Sequence, residues 1–162
     1  MDARGSPGYL AAVLFLDGAV YYTHCAPSEE VMRAFQNRKD HQIAGLEMLA
    51  LTLGIATFSH LLARRNVHLW SDNTVAEGST RRGSAKAFDH NYIINSIWSR
   101  AFEYSINLYV HRVPSELNIA DPPSREEFAI MEHIGARFLP PVLAVDSFGA
   151  VPCRDAKKPT AE

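Results

Sequence analysis

The stretch VHLWSDNTVA, residues 67–76, sets a short β-rich run, Val67–Trp70, directly against the polar cluster Ser71-Asp72-Asn73. Before it, Ile43, Leu46, Leu49, Ala50, Leu53, Ala56, His60 and Leu61 recur at helical spacing, after a polar start at Asp40-His41-Gln42. Arg64-Arg65-Asn66 separates this helix from the strand. A helix, then a short apolar strand, then a polar cluster is the order of an open α/β sheet, whose strands carry chemistry at their C-terminal edge.

Working outward toward the N-terminus, YLAAVLF (9–15) and Ala19–Cys25 flank the turn dipeptide Asp17-Gly18 and predict a hairpin. Toward the C-terminus, GSTRRGSAKAF (78–88) predicts a flexible basic loop after a short helix. Asp89 is expected to cap a helix to about Tyr104, burying Ile93, Ile94, Ile97, Trp98, Ala101 and Phe102. Trp98, Phe102 and Tyr104 read as core rather than as base-stacking platforms. NLYVHRV (107–113), closed by Pro114, predicts a strand. Ser124 is expected to cap a last helix over 125–134, ended by Gly135. The remainder is Pro-rich and then charged, and its last ten or so residues are expected to form a loose tail.

The chain has 162 residues, 47% of them hydrophobic, so one core buries about two-thirds of the unfolded chain's surface without a metal or disulfide. Sixteen Lys and Arg stand against 18 Asp and Glu, which excludes polybasic adhesion to nucleic acid; any such contact is local. Cys25 and Cys153 fit no CxxC spacing and are expected to be reduced thiols. MDARGSPGY lacks the features of a signal peptide, and no run is expected to reach the length of a membrane helix, so an intracellular, soluble protein is expected. The seven histidines show no HxH or HExxH spacing, which argues against zinc.

Three acidic residues sit at element edges in apolar surroundings: Glu47 within the helix pattern, Asp72 after VHLW, and Asp121 between Ile119-Ala120 and Pro122-Pro123. A carboxylate so placed costs several kcal/mol of desolvation unless a cation or donors compensate it. Carboxylates converging on one point are what a hard divalent ion such as Mg²⁺ requires. Each also has a structural alternative: Glu47 a helix-surface position, Asp72 and Asp121 helix caps.

Four segments resemble the ribonuclease H domain of retroelement reverse transcriptases, of the type found in fungal genomes. They are Asp2-Ala3 followed by Gly8 and AAVLF, then QIAGLEMLAL, WSDNTVA, and NIADPPSR with its N-x-x-A-D-x-x-S-R pattern. The resemblance covers residues 2–141 and implies one ribonuclease H-like domain over 1–141, a mixed β-sheet flanked by helices, with 142–162 as an extension. It implies metal-binding, catalytic carboxylates at Asp2, Glu47, Asp72 and Asp121, two Mg²⁺ or Mn²⁺ ions, and hydrolysis of RNA in RNA/DNA hybrids. Gln42 and Asn73 are then candidate partners of sugar or phosphate groups, and Arg64, Arg65, Arg81, Arg82 and Lys86 of phosphates. His90, beside the basic loop, is either a proton shuttle or an ordinary surface histidine.

One departure stands out. The family's first Asp ends a central strand, yet only Met1 precedes Asp2, so that strand is truncated and its place in the sheet is left open. The run PVLAVDSFG (141–149) has the character of a replacement, with residues 142–146 docking at the gap and Asp146 near the metal site. A dimer or a rearranged sheet are alternatives. Asp2 itself is either catalytic or an unstructured terminal residue. Two other functions also remain open: a ribosome-inactivating, rRNA-directed toxin-like enzyme (ribotoxin or rRNA N-glycosylase), and a non-catalytic nucleic-acid-binding relic of a retroelement.

Overall fold

The computed structural model describes residues 1–4, 8–29, 31–32 and 42–143. Strand β1 (Asp2–Arg4) lies antiparallel to β2 (Tyr9–Leu16), with Asp2 opposite Ala11. The chain then turns at Asp17 and Gly18, whose φ values of 50° and 78° are the positive pair that a two-residue hairpin loop requires. It returns as β3 (Ala19–Cys25), paired with β2 from Leu10↔Cys25 to Leu16↔Ala19. Cys25 is buried, and Cys153 lies outside the described residues.

Helix α1 (Gln42–Leu62) is buried nearly all round, with Leu46, Met48, Leu49, Leu51, Leu53 and Ile55 at most 1% exposed. It packs on β1 and β2 on one side and on α3 (Phe88–Glu103) on another. Gly54 permits the close approach: a Cβ there would overlap the Met1 side chain and stand 3.1 Å from the Ala12 Cβ. Contrary to the sequence expectation, Ile43–Leu62 is long and apolar enough to cross a membrane. However, 83% of its most apolar window is buried inside the fold, as befits a helix covered on several sides.

Strand β4 (Asn66–Ser71) pairs in parallel with β5 (Asn107–Arg112) as a separate two-stranded sheet. Between them come α2 (Thr74–Arg82) and α3. Residues 78–82, expected in a loop, complete α2, which Gly83 ends at φ 71°. Helix α3 starts at Phe88 after the N-cap Ala87, so Asp89 is an early helical residue whose Oδ1 accepts from the His90 N–H. Ile93, Ile94, Ile97 and Ala101 are buried as expected; Phe102 is 88% exposed, because the next position along a helix turns about 100° away. Trp98 is half-buried and donates to the Thr80 carbonyl at 3.0 Å.

The last expected helix is two short ones, α4 (Asp121–Ser124) and α5 (Ala129–His133), broken where Glu126 takes φ 63°. Pro122 and Pro123 are the cause, since proline suits the first turn of a helix and so starts one at Asp121. Strand β6 (Arg137–Phe138) then joins β3 in parallel, giving the order β1-β2-β3-β6.

The truncated strand takes a form the sequence did not suggest: Asp2 begins β1 instead of ending it. Toward β4 the two sheets stay apart. The Met1 ammonium donates to the Trp70 carbonyl at 3.1 Å, and beyond it opens a cavity of about 650 Å³ between β2 and β4. Val142 and Leu143 are not in this cavity. Val142 lies on α1, its N–H donating to Thr57 Oγ1 at 2.9 Å, and Leu143 is buried. The rest of the expected replacement, Asp146 included, lies outside the described residues.

These placements predict opposite outcomes for two phenylalanines. Phe58→Ala, at a site 1% exposed, should cost about 3–5 kcal/mol of unfolding free energy. Phe102→Ser should stay within about 0.5 kcal/mol of the parent. Denaturant melts of the two variants check this.

Candidate metal centre

Three elements each deliver one carboxylate to a common point. Asp2 opens β1, Glu47 lies in the second turn of α1, and Asp72 follows the last residue of β4. Glu47 and Gly54 are seven residues, two turns, apart, so the face of α1 that packs closely on Met1 also carries Glu47 toward Asp2. One oxygen from each of the three carboxylates lies within 4.8 Å of the others. Asp2 and Glu47 are 4% and 5% exposed, and Asp72 is half-buried.

Two side chains from the segment after β5 fix this arrangement. Asn118 Nδ2 lies 3.1 Å from each of Asp2 Oδ1, Asp72 Oδ1 and the Met1 carbonyl, so its two hydrogens serve three acceptors. Its own Oδ1 accepts from the Ala120 N–H at 3.2 Å. Ser124 Oγ donates to Asp2 Oδ2 at 2.5 Å. Sequence reasoning gave neither residue a role in the site, although both are letters of the NIADPPSR motif. Ser124, expected as a helix cap, serves the site instead.

Burial dominates the electrostatics. Among the described residues, Glu47 Oε2 is buried with no hydrogen-bond partner. Loss of water pushes the Glu47 carboxyl up to about 8, with help from the negative charges of Asp2 and Asp72 and against a backbone hydrogen bond from Ala3. Asp2 is also raised, by burial above all, with the Ser124 hydrogen bond opposing. Burial lowers the Met1 ammonium, against the attraction of Asp2, Glu47 and Asp72. An all-oxygen set of mutually repelling carboxylates, one of them with an orphaned oxygen, suits a hard divalent cation.

Asp121 stands outside this trio. Its Oδ1 accepts from Arg125 Nε at 2.9 Å on the exposed rim, though its charge still acts on Asp2. Asn73 spends its Oδ1 as the N-cap of α2, accepting from the Val75 and Ala76 N–H groups at 3.0 Å. Gln42 begins α1, but its side chain is outside the described set. His90 is buried, which removes the surface-histidine reading, and it is not one of the clustered ligands.

Arg64 and Arg65 lie away from the three carboxylates. They precede β4 and Asp72 follows it, so the length of a six-residue strand, about 20 Å, intervenes. Arg65 instead pairs with Asp17 at the hairpin tip, at 2.9 Å. Arg81 pairs with Glu77 at 3.1 Å and Arg82 donates to Ser79 Oγ at 3.3 Å, both near the end of α2; Lys86 is exposed in the loop that follows. Helix α2 starts beside Asp72, so its basic end lies about 13 Å away along the helix. No family model, curated protein or solved structure matches this chain.

The raised Glu47 carboxyl predicts a pH effect on the metal-free protein. Folding favours its protonated form, so the contribution is full below about pH 4.5 and is lost as pH rises toward about 8. The loss should be a few kcal/mol in order of magnitude. Denaturant melts across this range should show a shallower decline for Glu47→Gln. Mg²⁺ should stabilise the parent at pH 8 and leave the variant nearly unchanged.

Proposed function

We propose that this chain is a divalent-metal-dependent nuclease of ribonuclease H type that hydrolyses the RNA strand of RNA/DNA hybrids. The observation that carries the reading is the convergence of Asp2, Glu47 and Asp72, with Glu47 Oε2 buried and unpartnered among the described residues. The four segments that resemble retroelement ribonuclease H domains contain these three residues together with Asn118, Asp121 and Ser124.

Asp2, Glu47 and Asp72 would hold Mg²⁺ or Mn²⁺, with Asp121 at the rim as a fourth ligand for a second ion. When bound, such ions supply a hydroxide-like water and stabilise charge on the phosphate. Asn118 keeps the Asp2 and Asp72 carboxylates turned toward each other, and Ser124 holds the second oxygen of Asp2. Both carboxylates are thus aligned before substrate arrives, which lowers the cost of reorganisation during reaction. Half-buried Asp72 and Asp121 mark the open side of the centre. A substrate strand entering there can reach Arg125 at the rim and Arg81, Arg82 and Lys86 beyond α2.

The ion pair between Arg125 and Asp121 favours a second reading, a non-catalytic nucleic-acid-binding relic, because it occupies the fourth carboxylate. Incubation with an RNA/DNA hybrid, duplex RNA and intact ribosomes, with Mg²⁺ or Mn²⁺ and with chelator, separates the readings. Hybrid cleavage that needs the metal and falls at least about 100-fold in Asp72→Asn and Glu47→Gln is expected. Cleavage indifferent to chelator and to both substitutions overturns the mechanism. Hybrid binding without cleavage assigns the relic, and damage to ribosomes alone assigns an rRNA-directed enzyme.

A further inference from the structure

We infer that His24 is a positioning residue for the metal centre: its ring clasps Phe128, and with it the turn that holds Ser124 on Asp2, and protonation of that ring opens the clasp. The inference rests on the reading of Asp2, Glu47 and Asp72 as metal ligands, though not on cleavage.

The register sets the geometry. Asp2 pairs with Ala11 and Ala11 with His24, so the three lie in one row on one face of the sheet. Two strand spacings, about 10 Å, separate Asp2 from His24. The segment 124–128 spans this row. Ser124 Oγ donates to Asp2 Oδ2 at one end, and Phe128 meets His24 at the other with ring centroids 4.6 Å apart. The turn between them is tied to α4, since the Glu126 N–H donates to the Pro123 carbonyl at 3.2 Å and the Glu127 N–H to the Pro122 carbonyl at 3.0 Å. A displacement of Phe128 is passed through this turn to Ser124.

His24 is the hub of a ring cluster. Tyr9, Tyr22, Phe128 and Phe138 all contact it, at centroid distances from 4.6 to 6.3 Å. It is 3% exposed, and among the described residues neither ring nitrogen has a hydrogen-bond partner. Phenylalanine would fill such a place without stranding two polar atoms, whereas imidazole can gain a charge there near neutral pH. The imidazolium carries two buried N–H donors with nothing to accept them, and ring faces attract a cation without accepting in-plane bonds. Burial accordingly holds the His24 imidazole below its ordinary value, against the charge of Glu126.

Among the described residues, the other titratable groups facing the cluster are Tyr9, Tyr22, Glu126 and Glu132. Burial raises both tyrosines, so they stay neutral; Glu132 of α5 acts on Tyr22, and Arg137 of β6, opposite Tyr21, lies on the other face. Glu126 is the acid that acts on His24, and it sits exposed at the corner of the turn, so an imidazolium gains it by moving out of the rings. Because the fold favours the neutral ring, the contribution of His24 to stability is full above about pH 6.5 and is lost as pH falls below that. Glu47 acts in the opposite sense.

The test compares the parent with His24→Phe, which keeps the ring and cannot titrate, with Ser124→Ala, and with the double variant, all as the full chain. Mn²⁺ affinity is read by calorimetry, and amide exchange of residues 124–128 without metal by mass spectrometry, from about pH 7.5 to about 5.5. Acid weakens Mn²⁺ binding in every chain, because carboxylates protonate. Across this range the parent should lose about tenfold more affinity than His24→Phe. It should also lose about tenfold in exchange protection, corrected for the intrinsic rate, which His24→Phe keeps. In the Ser124→Ala background the affinity difference should vanish. Equal pH profiles for parent and His24→Phe overturn the inference. So does an affinity difference that persists without the Ser124 hydroxyl, or a loss of protection with no difference in affinity; either leaves His24 a packing residue. Should His24→Phe misfold, His24→Gln gives the same comparison. Absence of Mn²⁺ binding at every pH overturns the metal reading and this inference with it, whereas binding without hybrid cleavage overturns the nuclease alone.

Discussion

Asp2, Glu47 and Asp72 hold three like-charged groups within 4.8 Å of one another, two of them almost wholly out of water. Nothing in a hydrophobic core favours this, and each buried carboxylate carries a desolvation cost of several kcal/mol. The cost is met differently at each position. Asp2 receives hydrogen bonds on both oxygens, from Asn118 and Ser124, and the Ser124 bond opposes the effect of burial. Among the described residues Glu47 Oε2 has no partner, so desolvation wins there and pushes its carboxyl up to about 8.

The backbone architecture serves this one point. Gly54 brings α1 onto β1 and β2 closely enough for Glu47 to meet Asp2, and the parallel run of β4 beside β5 ends at Ser71, just before Asp72. The segment after β5 returns to close the arrangement. Pro122-Pro123 start a short helix at Asp121, and that helix is what carries Ser124 to the second oxygen of Asp2. The same hydroxyl also lies 2.8 Å from the Asp121 carbonyl of that short helix. The divided sheet and the polar centre also meet at Met1, whose nitrogen touches β4 and whose carbonyl accepts from Asn118.

Local pattern made much of the fold legible. The Asp17-Gly18 hairpin, the apolar periodicity of α1, and strands β4 and β5 follow from turn chemistry and side-chain spacing, which act over a few residues. The errors cluster where distant groups decide. Phe102 sits at one end of an apolar stripe and falls just outside the buried arc of α3. Arg64 and Arg65 are near Asp72 in sequence yet lie at the opposite end of the strand, because an extended strand separates its flanks by its full length.

The sequence by itself singled out Glu47, Asp72 and Asp121, since an acidic residue within an apolar pattern is visible without coordinates, whereas Asp2 came only from the resemblance. It determined the mixed α/β character for the same reason: both helical and strand periods are local. Only the tertiary structure decided that Asp2, Glu47 and Asp72 meet while Asp121 turns to Arg125, and that Asn118 and Ser124 hold the centre. Only it showed β1 starting at Asp2. Hydrogen bonds between residues more than a hundred positions apart are set by how the elements pack, and no spacing in the chain encodes them.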